Sequence, residues 1–300
     1  MATSETEPLI NKNPALQSYY ASLESRIGYR IILGGTRHFG YYEPGSWWPF
    51  PITKALRRME DHLFDSLNLP PGSAVLDAGC GNGLVAMHLA RRKLNIKAVD
   101  VTERHVARAQ KNVIAAGLEK AVTVSRGDYH HLDAFPTASL DGVYTMETLV
   151  HATDTKSVLD GFFRVLKPGG TLMLYEYAHI TPKDAPEVSK IFGQVNEYAA
   201  MPANAEFEAD TLLSLVKEAG FTDIKMNDLS ENVKPMLRLF FVIAYIPYLF
   251  IRLFGLEKYF VNAVAAIVGY RYYDIHRYVA VRATKQMTAD DHPLEPKKVQ

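Results

Sequence analysis

Three alternate glycines, Gly79, Gly81 and Gly83, follow a short apolar segment. A glycine-rich turn between a strand and a helix lets the backbone approach a ligand closely and presents its N–H groups to it. The spacing G-x-G-x-G differs from the G-x-G-x-x-G of nicotinamide and flavin enzymes. An acidic residue, Asp77, precedes the first glycine, and a carboxylate there repels a pyrophosphate but attracts an ammonium group. The turn therefore favours a nucleotide that carries an amino acid.

Acidic residues also end the next two predicted strands. Asp100, beside Val101, follows Asp77 at close to the ~20-residue offset at which a carboxylate accepts hydrogen bonds from both ribose hydroxyls. Asp128 follows the third strand, where it can accept from an adenine amino group while Tyr129 offers a flat apolar face. A single acid at such a position could equally be a turn or helix-capping residue. Three acids at successive strand ends are poorly explained in this way. The set predicts a site for S-adenosylmethionine.

The elements that must position these residues alternate along the chain from Ser73 onward. Short apolar segments predict strands at Ala74–Ala78, Ile96–Val101, Val122–Arg126, Gly142–Met146, Thr171–Tyr177, Thr222–Asp228 and Tyr278–Ala283. Longer segments between them predict helices at Leu84–Arg92, Glu103–Ala116, Lys156–Leu166 and Ala209–Ala219. Such alternation is typical of an α/β fold. We therefore predict a doubly wound, Rossmann-like fold around a seven-stranded, mostly parallel sheet.

The regions outside this core divide the chain. We predict a disordered tail at residues 1–14, an N-terminal helical and aromatic lid segment at 15–72, the main domain at 73–285 and a polar tail at 286–300. Insertions near 179–207 and 230–275 follow late strands, so they can fold over the carboxyl edge of the sheet. Ligands bind at this edge in open α/β folds. We expect the later insertion to form a C-terminal helical lid over a substrate.

The composition excludes several classes of function. The 300 residues include 33 Lys plus Arg and 33 Asp plus Glu, so the formal net charge is zero and no basic field attracts nucleic acid. The single cysteine, Cys80, leaves no disulfide framework and no pair of thiolates for zinc, and we expect no metal site. The N-terminus is polar and acidic, unlike a secretory signal. We therefore expect a cytoplasmic protein.

The tract around the glycines resembles the class I S-adenosylmethionine-dependent methyltransferases over roughly residues 40–180. The sterol 24-C-methyltransferases and tocopherol methyltransferases are similar in three stretches, Tyr144–His151 (YTMETLVH), Arg164–Gly170 (RVLKPGG) and Leu174–Tyr177 (LYEY). Just past the fourth predicted strand, Glu147 and His151 stand four residues apart, so a short helical turn would point both into the cleft. We predict that both are catalytic.

An aromatic segment, Arg37–Phe50, precedes the first predicted strand and contains both tryptophans of the chain. The resemblance implies that this segment closes over the cofactor, with Tyr41 and Tyr42 near the methyl group as catalytic residues. Aromatic faces there would stabilise a sulfonium or a developing carbocation by cation–π attraction, ~2 kcal/mol or more when desolvated. The alternative is an ordinary aromatic cluster between this segment and the main domain.

The insertion at 230–275 contains the uncharged run Leu239–Ile251, which is shorter than the ~20 residues of a membrane-spanning helix. One interpretation is a packed lid of core-like helices. The other is an interfacial helix that admits a lipophilic substrate. Its basic rim toward anionic head groups would consist of Arg238, Arg252, Lys258 and Arg271. We expect peripheral contact with an intracellular membrane through about 236–271, or a homodimer interface.

These features predict an enzyme that transfers the methyl group of S-adenosylmethionine to a small lipophilic acceptor, either sterol-like, prenylated or another specialised metabolite. The methylated atom, whether carbon, oxygen or nitrogen, stays open. Glu147 or His151 would remove a proton where the acceptor requires a base. The alternative is an S-adenosylmethionine-binding protein of the same fold that transfers no methyl group, as a non-methylating catalyst or a lipid-binding partner. The glycine spacing and Asp77 disfavour an oxidoreductase.

Overall fold

The computed structural model describes residues 10, 13–22, 24, 30–180 and 186–287, and all structural statements concern these. Its strands are β1 Ala74–Ala78, β2 Asn95–Asp100, β3 Val122–Arg126, β4 Leu140–Met146, β5 Leu166–His179, β6 Thr222–Asp228 and β7 His276–Thr284. Within the described part they form a seven-stranded sheet in the order β3-β2-β1-β4-β5-β7-β6. Strands β1 to β5 run parallel, and β7 runs antiparallel to β5 and β6. The predicted doubly wound, mostly parallel sheet is confirmed.

Helices cover both faces of the sheet. They are α1 Pro14–Ala21, α2 Ile52–Leu67, α3 Leu84–Arg91, α4 Glu103–Ala115, α5 Thr155–Val165, α6 Pro186–Tyr198, α7 Ala209–Glu218, α8 Ser230–Leu253 and α9 Val261–Arg271. One apolar core buries Phe162 of α5 and Leu212 of α7. The other buries Met59 of α2, Leu89 of α3 and Val113 of α4. Each such side chain stabilises the fold by about 1.5–3 kcal/mol, so both layers hold the sheet in place.

Helices α6 and α9 and most of α8 lie outside these two layers, although Val233 at the start of α8 belongs to the second core. They meet in a separate apolar cluster that includes Val195, Ile251, Val264 and Val268. Helix α6 belongs to the insertion near 179–207, and the α8–α9 pair belongs to the insertion at 230–275. Both insertions are therefore helical, as expected of lids. Most of the predicted tails, 1–14 and 286–300, falls outside the described residues.

Among the described helices, α8 has the length and the apolar composition that a membrane-spanning helix requires. Its first two turns lie in the protein interior, where Val233 and Met236 are buried. The Asn232 side chain donates a hydrogen bond of 2.8 Å to the Tyr42 carbonyl oxygen. The remainder, from Leu239 to Leu253, is about 22 Å long at 1.5 Å per residue, against a hydrocarbon core of about 30 Å. We therefore treat α8 as a lid helix.

Candidate cofactor and substrate site

The glycine-rich turn leads from β1 into α3 and is closely packed. Gly79, Gly81 and Gly83 adopt φ values of 102°, 52° and 73°, in the left-handed region that favours glycine. The Gly79 N–H donates to the Val99 carbonyl oxygen of β2 at 3.0 Å. A Cβ atom at Gly79 would lie 2.8 Å from side-chain atoms of Thr148. Backbone conformation and lack of space therefore both require glycine at position 79.

Asp100 ends β2 and holds the glycine turn in place. Its Oδ2 atom accepts a hydrogen bond from Gly81 N at 2.9 Å, and Oδ1 accepts one from Thr102 N at 2.8 Å. The His105 ring contributes Nδ1 at 3.2 Å from Oδ1. Oδ1 thus has two protein partners, whereas Oδ2 keeps a second lone pair and can still accept from a ribose hydroxyl. Asp100 therefore orders the turn and also presents an acceptor to the site.

Asp77 lies at the end of β1 with 3% of its surface exposed. Its Oδ2 atom is buried and has no hydrogen-bond partner. Burial raises the pKa of Asp77 to about 7, although the neighbouring Tyr144 hydroxyl acts in the opposite direction. A buried carboxylate oxygen without a donor is costly unless a ligand supplies one. The ammonium group of S-adenosylmethionine fits this requirement.

Asp128 and Tyr129 complete the cofactor end. Asp128 is buried, and its Oδ1 accepts from His130 N at 2.9 Å. The Tyr129 ring stacks on the His130 ring with centroids 5.0 Å apart. One cavity is lined by Asp77, Gly79, Gly81, Asp100, Val101, Asp128 and Tyr129, which the sequence predicts as cofactor residues. Gly83, also predicted, caps the N-terminus of α3 instead.

That cavity has a volume of about 720 Å³ and extends beyond the cofactor end to the lid helices. Apolar side chains of α8 and α9 line the far end, among them Leu237, Phe240, Ala244, Pro247, Ala265 and Ala266. Tyr20, Phe39, Glu147 and His151 also line the cavity. Ligand sites are typically apolar spaces of this size with a few polar groups that fix orientation. A single space thus joins the cofactor end to an apolar end.

Glu147 lies just after β4 with a φ of 58°. Its N–H donates to the Tyr175 carbonyl oxygen at 2.7 Å, which continues the pairing of β4 with β5. Oε1 accepts from Phe39 N at 2.7 Å, and Oε2 accepts from the Tyr177 hydroxyl. Burial raises the pKa of Glu147. A single helical turn through Glu147 and His151, as predicted, is not formed, because the Glu147 N–H bonds to β5 and the helical turn begins only at Leu149.

His151 ends a 3-10 turn, Leu149–His151. Its Nδ1 lies 2.8 Å from the Ala200 carbonyl oxygen, which can only accept, so Nδ1 carries the proton. Nε2 is therefore an acceptor, and the Tyr20 hydroxyl donates to it at 3.0 Å. Burial lowers the pKa of His151 to about 4, which keeps the ring neutral at physiological pH. The structure brings Glu147 and His151 to one cavity, each already hydrogen-bonded.

Glu176 supports this region, and the sequence analysis did not identify it. It is fully buried on β5, and its carboxylate accepts from Thr145 Oγ1 at 2.7 Å and Leu149 N at 3.0 Å. Burial raises the pKa of Glu176 to about 7. The carboxylate therefore anchors the turn that carries His151. The available signal was an acid within the apolar strand sequence LYEY, where an exposed charge is not expected.

Tyr41 and Tyr42 require a correction, because neither is among the residues that line the cavity. The Tyr41 N–H donates to Ala55 O and the Tyr42 N–H to Asn232 O, which ties this segment to α2 and α8. The Tyr42 hydroxyl donates to Pro49 O at 2.8 Å. The alternative interpretation was an ordinary aromatic cluster. Tyr42 is buried in an apolar cluster against which Phe39 and Phe240 pack. Phe39, a few residues earlier, lines the cavity in their place.

The chain is similar to known proteins in sequence and in fold. A methyltransferase-domain family matches residues 76–174. The chain is 43% identical over 276 residues to the S-adenosyl-L-methionine-dependent Diels-Alderase iccD of Talaromyces variabilis, covering 90% of this chain and 94% of that protein. It is 36% identical over 220 residues to the sterol 24-C-methyltransferase of Yarrowia lipolytica, covering 72% and 56%. The chain belongs to the class I S-adenosylmethionine-dependent methyltransferase family.

The fold and cofactor follow from this membership. The crystal structure of the [4+2]-cyclase SpnF superimposes with a TM-score of 0.67 at 24% identity, covering 92% of this chain and 93% of that one. The chain is an enzyme of this fold, and its cofactor is S-adenosylmethionine. The predicted family and cofactor are confirmed. When bound, the cofactor supplies a positively charged methylsulfonium, which can donate its methyl group or polarise a neighbouring carbonyl.

The pKa of Asp77 predicts how cofactor affinity depends on pH. Below pH of about 7 Asp77 holds a proton that a bound ammonium must displace, so affinity should rise by up to about tenfold per pH unit toward pH 7 and then level off. Asp77→Asn should weaken affinity at neutral pH by about 10- to 100-fold and remove this slope. Calorimetric titration of both proteins with S-adenosylmethionine measures this. An unchanged slope in the variant would exclude Asp77 as the ammonium partner.

Proposed function

We propose that this enzyme is an S-adenosylmethionine-dependent cyclase, which closes a ring in a lipophilic polyene by a [4+2] cycloaddition. The observation that carries the proposal is that the chain is 43% identical over 276 residues to an S-adenosyl-L-methionine-dependent Diels-Alderase. The hydrogen bonds that the protein makes to both candidate bases are compatible with a reaction that removes no proton. Glu147 accepts from Phe39 N and Tyr177 Oη, and His151 Nε2 accepts from Tyr20 Oη. A cycloaddition forms two carbon–carbon bonds from conjugated double bonds, and no proton leaves the substrate. Such a reaction needs no free base.

The shape and polarity of the cavity support the same reaction. A linear polyene must fold so that its diene and dienophile meet, and a site that holds this conformation can lower the barrier by several kcal/mol. Small side chains at Ala244, Ala265 and Ala266 leave room at the far end. Phe240 and Pro247 add rigid apolar walls. The cavity is therefore suited to orient an apolar chain with little chemical participation.

Two relatives support a cyclase over a methyltransferase. The Diels-Alderase iccD aligns with nearly the whole chain, and iliD from Neonectria sp. (strain DH2), another S-adenosyl-L-methionine-dependent Diels-Alderase, is 42% identical over 223 residues. The sterol 24-C-methyltransferase aligns with 56% of its length. A sequence similarity that extends over the lid insertion is relevant to the choice of substrate, because the lid lines the far end of the cavity.

Methyl transfer to a small lipophilic acceptor is the second candidate. The hydrogen-bond chain from Tyr20 through His151 to the Ala200 carbonyl favours it, since this chain could draw a proton from an acceptor hydroxyl. Tyr20 and His151 both line the cavity, which supports this role. The intact cofactor end is compatible with either reaction.

A metabolite comparison separates the two candidates. Extracts of cells with and without the gene are analysed by mass spectrometry, and the purified enzyme is then incubated with the substrate that accumulates without it. A cycloaddition gives a product of the same mass and no S-adenosylhomocysteine. Methyl transfer gives a product heavier by one CH2 unit and one S-adenosylhomocysteine per turnover. Release of S-adenosylhomocysteine in step with product would overturn the cyclase proposal.

A further inference from the structure

An exposed apolar surface adjoins the cavity. We define this lid surface by Val242, Ile246, Leu249, Phe250, Leu253 and Phe254, which are 47% to 74% exposed. The residues at 242, 246, 249 and 253 follow one another at three or four positions, about one helical turn, so they form a single stripe along α8. Met236, Ala244 and Ile251 on the other side of α8 are buried. The stripe is therefore the outward face of a helix that is packed on its inner face.

The lid surface is continuous with the cavity. Phe250 and Phe254 belong to the surface and also line the cavity. Ile243 and Phe260, 48% and 40% exposed, do the same beside them. A cavity whose rim is itself exposed and apolar opens toward an apolar medium more readily than toward water. The rim thus offers a lipophilic molecule a continuous apolar route to the far end.

Charges around the lid surface indicate which apolar medium covers it. Between residues 239 and 271 the charged side chains are Arg252, Glu257, Lys258 and Arg271, three cations and one anion. Arg252, Lys258 and Arg271 are exposed. An apolar helix face with a cationic rim is the pattern of helices that lie in the interface of an anionic membrane.

An exposed tryptophan extends the pattern to the N-terminal segment. Trp47 is 72% exposed, and the Arg238 guanidinium lies 3.7 Å from its ring centre. Arg238 stands one turn before Val242 on α8, so the Trp47 ring is next to the start of the stripe. Tryptophan side chains prefer the head-group level of membranes. The ring is placed where a membrane anchor would be.

We propose that the lid surface docks on an anionic membrane, with the mouth of the cavity opening into the bilayer. The apolar stripe would lie at the boundary of head groups and acyl chains while Arg252, Lys258 and Arg271 contact anionic head groups. A lipophilic substrate then enters from the bilayer without crossing water. The docking is independent of the reaction that the cavity performs, so it stands or falls separately from the cyclase proposal.

Vesicle flotation with the full-length protein tests this proposal. The wild type should float with vesicles of phosphatidylcholine and phosphatidylserine at low salt. The triple variant Ile246→Ser, Leu249→Ser and Leu253→Ser should bind at least about a hundredfold more weakly, since each buried CH2 contributes roughly fourfold. These three residues do not line the cavity. Ile114→Ser, at a 63% exposed position of α4, is the matched control and should float as the wild type does.

A second variant tests the contribution of the cationic side chains around the lid surface. Replacing Arg252, Lys258 and Arg271 by Gln should weaken binding by about a hundredfold, since each cation contributes about fivefold near an anionic surface. High salt should weaken wild-type binding in the same direction. Lys111→Gln on α4 is the control.

Wild-type protein that stays soluble with anionic vesicles at low salt would overturn the proposal. So would a serine triple variant that converts a dimer to a monomer in sedimentation and leaves flotation unchanged, because the lid surface would then be a homodimer interface.

Discussion

The Gly79→Ala variant is expected to lose at least about a hundredfold of its affinity for S-adenosylmethionine. Gly79 has a φ of 102°, where a side chain costs roughly 1–2 kcal/mol. Its new Cβ would also lie 2.8 Å from Thr148 side-chain atoms. Relieving such an overlap in a packed site typically costs about 1–3 kcal/mol. Thr148 cannot move freely, because its hydroxyl donates to Ala78 O at 2.7 Å. The glycine turn itself must therefore shift.

Gly72→Ala is the matched control for this prediction. Gly72 has a φ of 91°, but a Cβ there would have nothing within 4 Å. This variant should carry only the backbone cost of about 1–2 kcal/mol in the free energy of unfolding and should bind the cofactor as the wild type does. Calorimetric titration and thermal unfolding measure both quantities. Equal cofactor affinities of the Gly79→Ala and wild-type proteins would show that the turn does not contact the cofactor.

The cofactor end could be predicted from the sequence because its determinants are local. β1, β3 and β6 begin and end where the apolar pattern places them. Parallel strands bring their carboxyl ends to one edge, so Asp77, Asp100 and Asp128 had to lie near one another. The cavity lining contains all three. Short-range patterns and one topological rule were therefore sufficient for this part of the site.

The rest of the site depends on contacts between distant segments. Tyr41 and Tyr42 are turned from the cavity by hydrogen bonds to Ala55 and Asn232, and the second partner is almost 200 residues away along the chain. The Tyr20 hydroxyl also contacts a residue that is distant along the chain, because it donates a hydrogen bond to His151 Nε2 at 3.0 Å. No periodicity in a single sequence encodes such pairs. β5 begins at Leu166, earlier than predicted. The K-P-G-G sequence that follows Leu166 is typical of a turn, but in the structure it is part of the strand.

The reaction itself could not be derived from the cofactor end. Methyl transfer and cycloaddition can use the same glycine turn and the same acids, since these residues bind the cofactor and not the acceptor. The two reactions differ in whether a residue such as Glu147 or His151 must take a proton from the acceptor. The hydrogen-bond partners of these two residues, Phe39, Tyr177 and Tyr20, come from other segments of the chain. The surroundings of both candidate bases could therefore not be predicted from the sequence.

For the proposed cyclase reaction, Ala265→Phe is expected to lower the rate of ring closure by more than about a hundredfold. Ala265 lines the cavity from α9, so a phenyl ring would occupy space that the proposed polyene substrate needs. When orientation supplies most of the rate, a misplacement of about 1 Å can cost a hundredfold. Affinity for S-adenosylmethionine should stay at the wild-type value, because the cofactor residues lie at the other end. Single-turnover rates on the substrate found by the metabolite comparison, with calorimetry for the cofactor, measure both.

Ala116→Phe makes the same chemical change at an exposed position after α4 and should leave the rate at its wild-type value.

Glu147→Gln removes a carboxylate from the cavity without changing the volume of the cavity. In the proposed cyclase this variant should keep the wild-type rate. Ring closure moves no proton, so at saturating S-adenosylmethionine its rate should also be constant across neutral pH. A wild-type rate in Ala265→Phe would contradict the placement of the substrate. Loss of turnover in Glu147→Gln, together with a rate that rises with pH, would instead assign Glu147 as the base of a methyl transfer, since only that reaction requires proton removal.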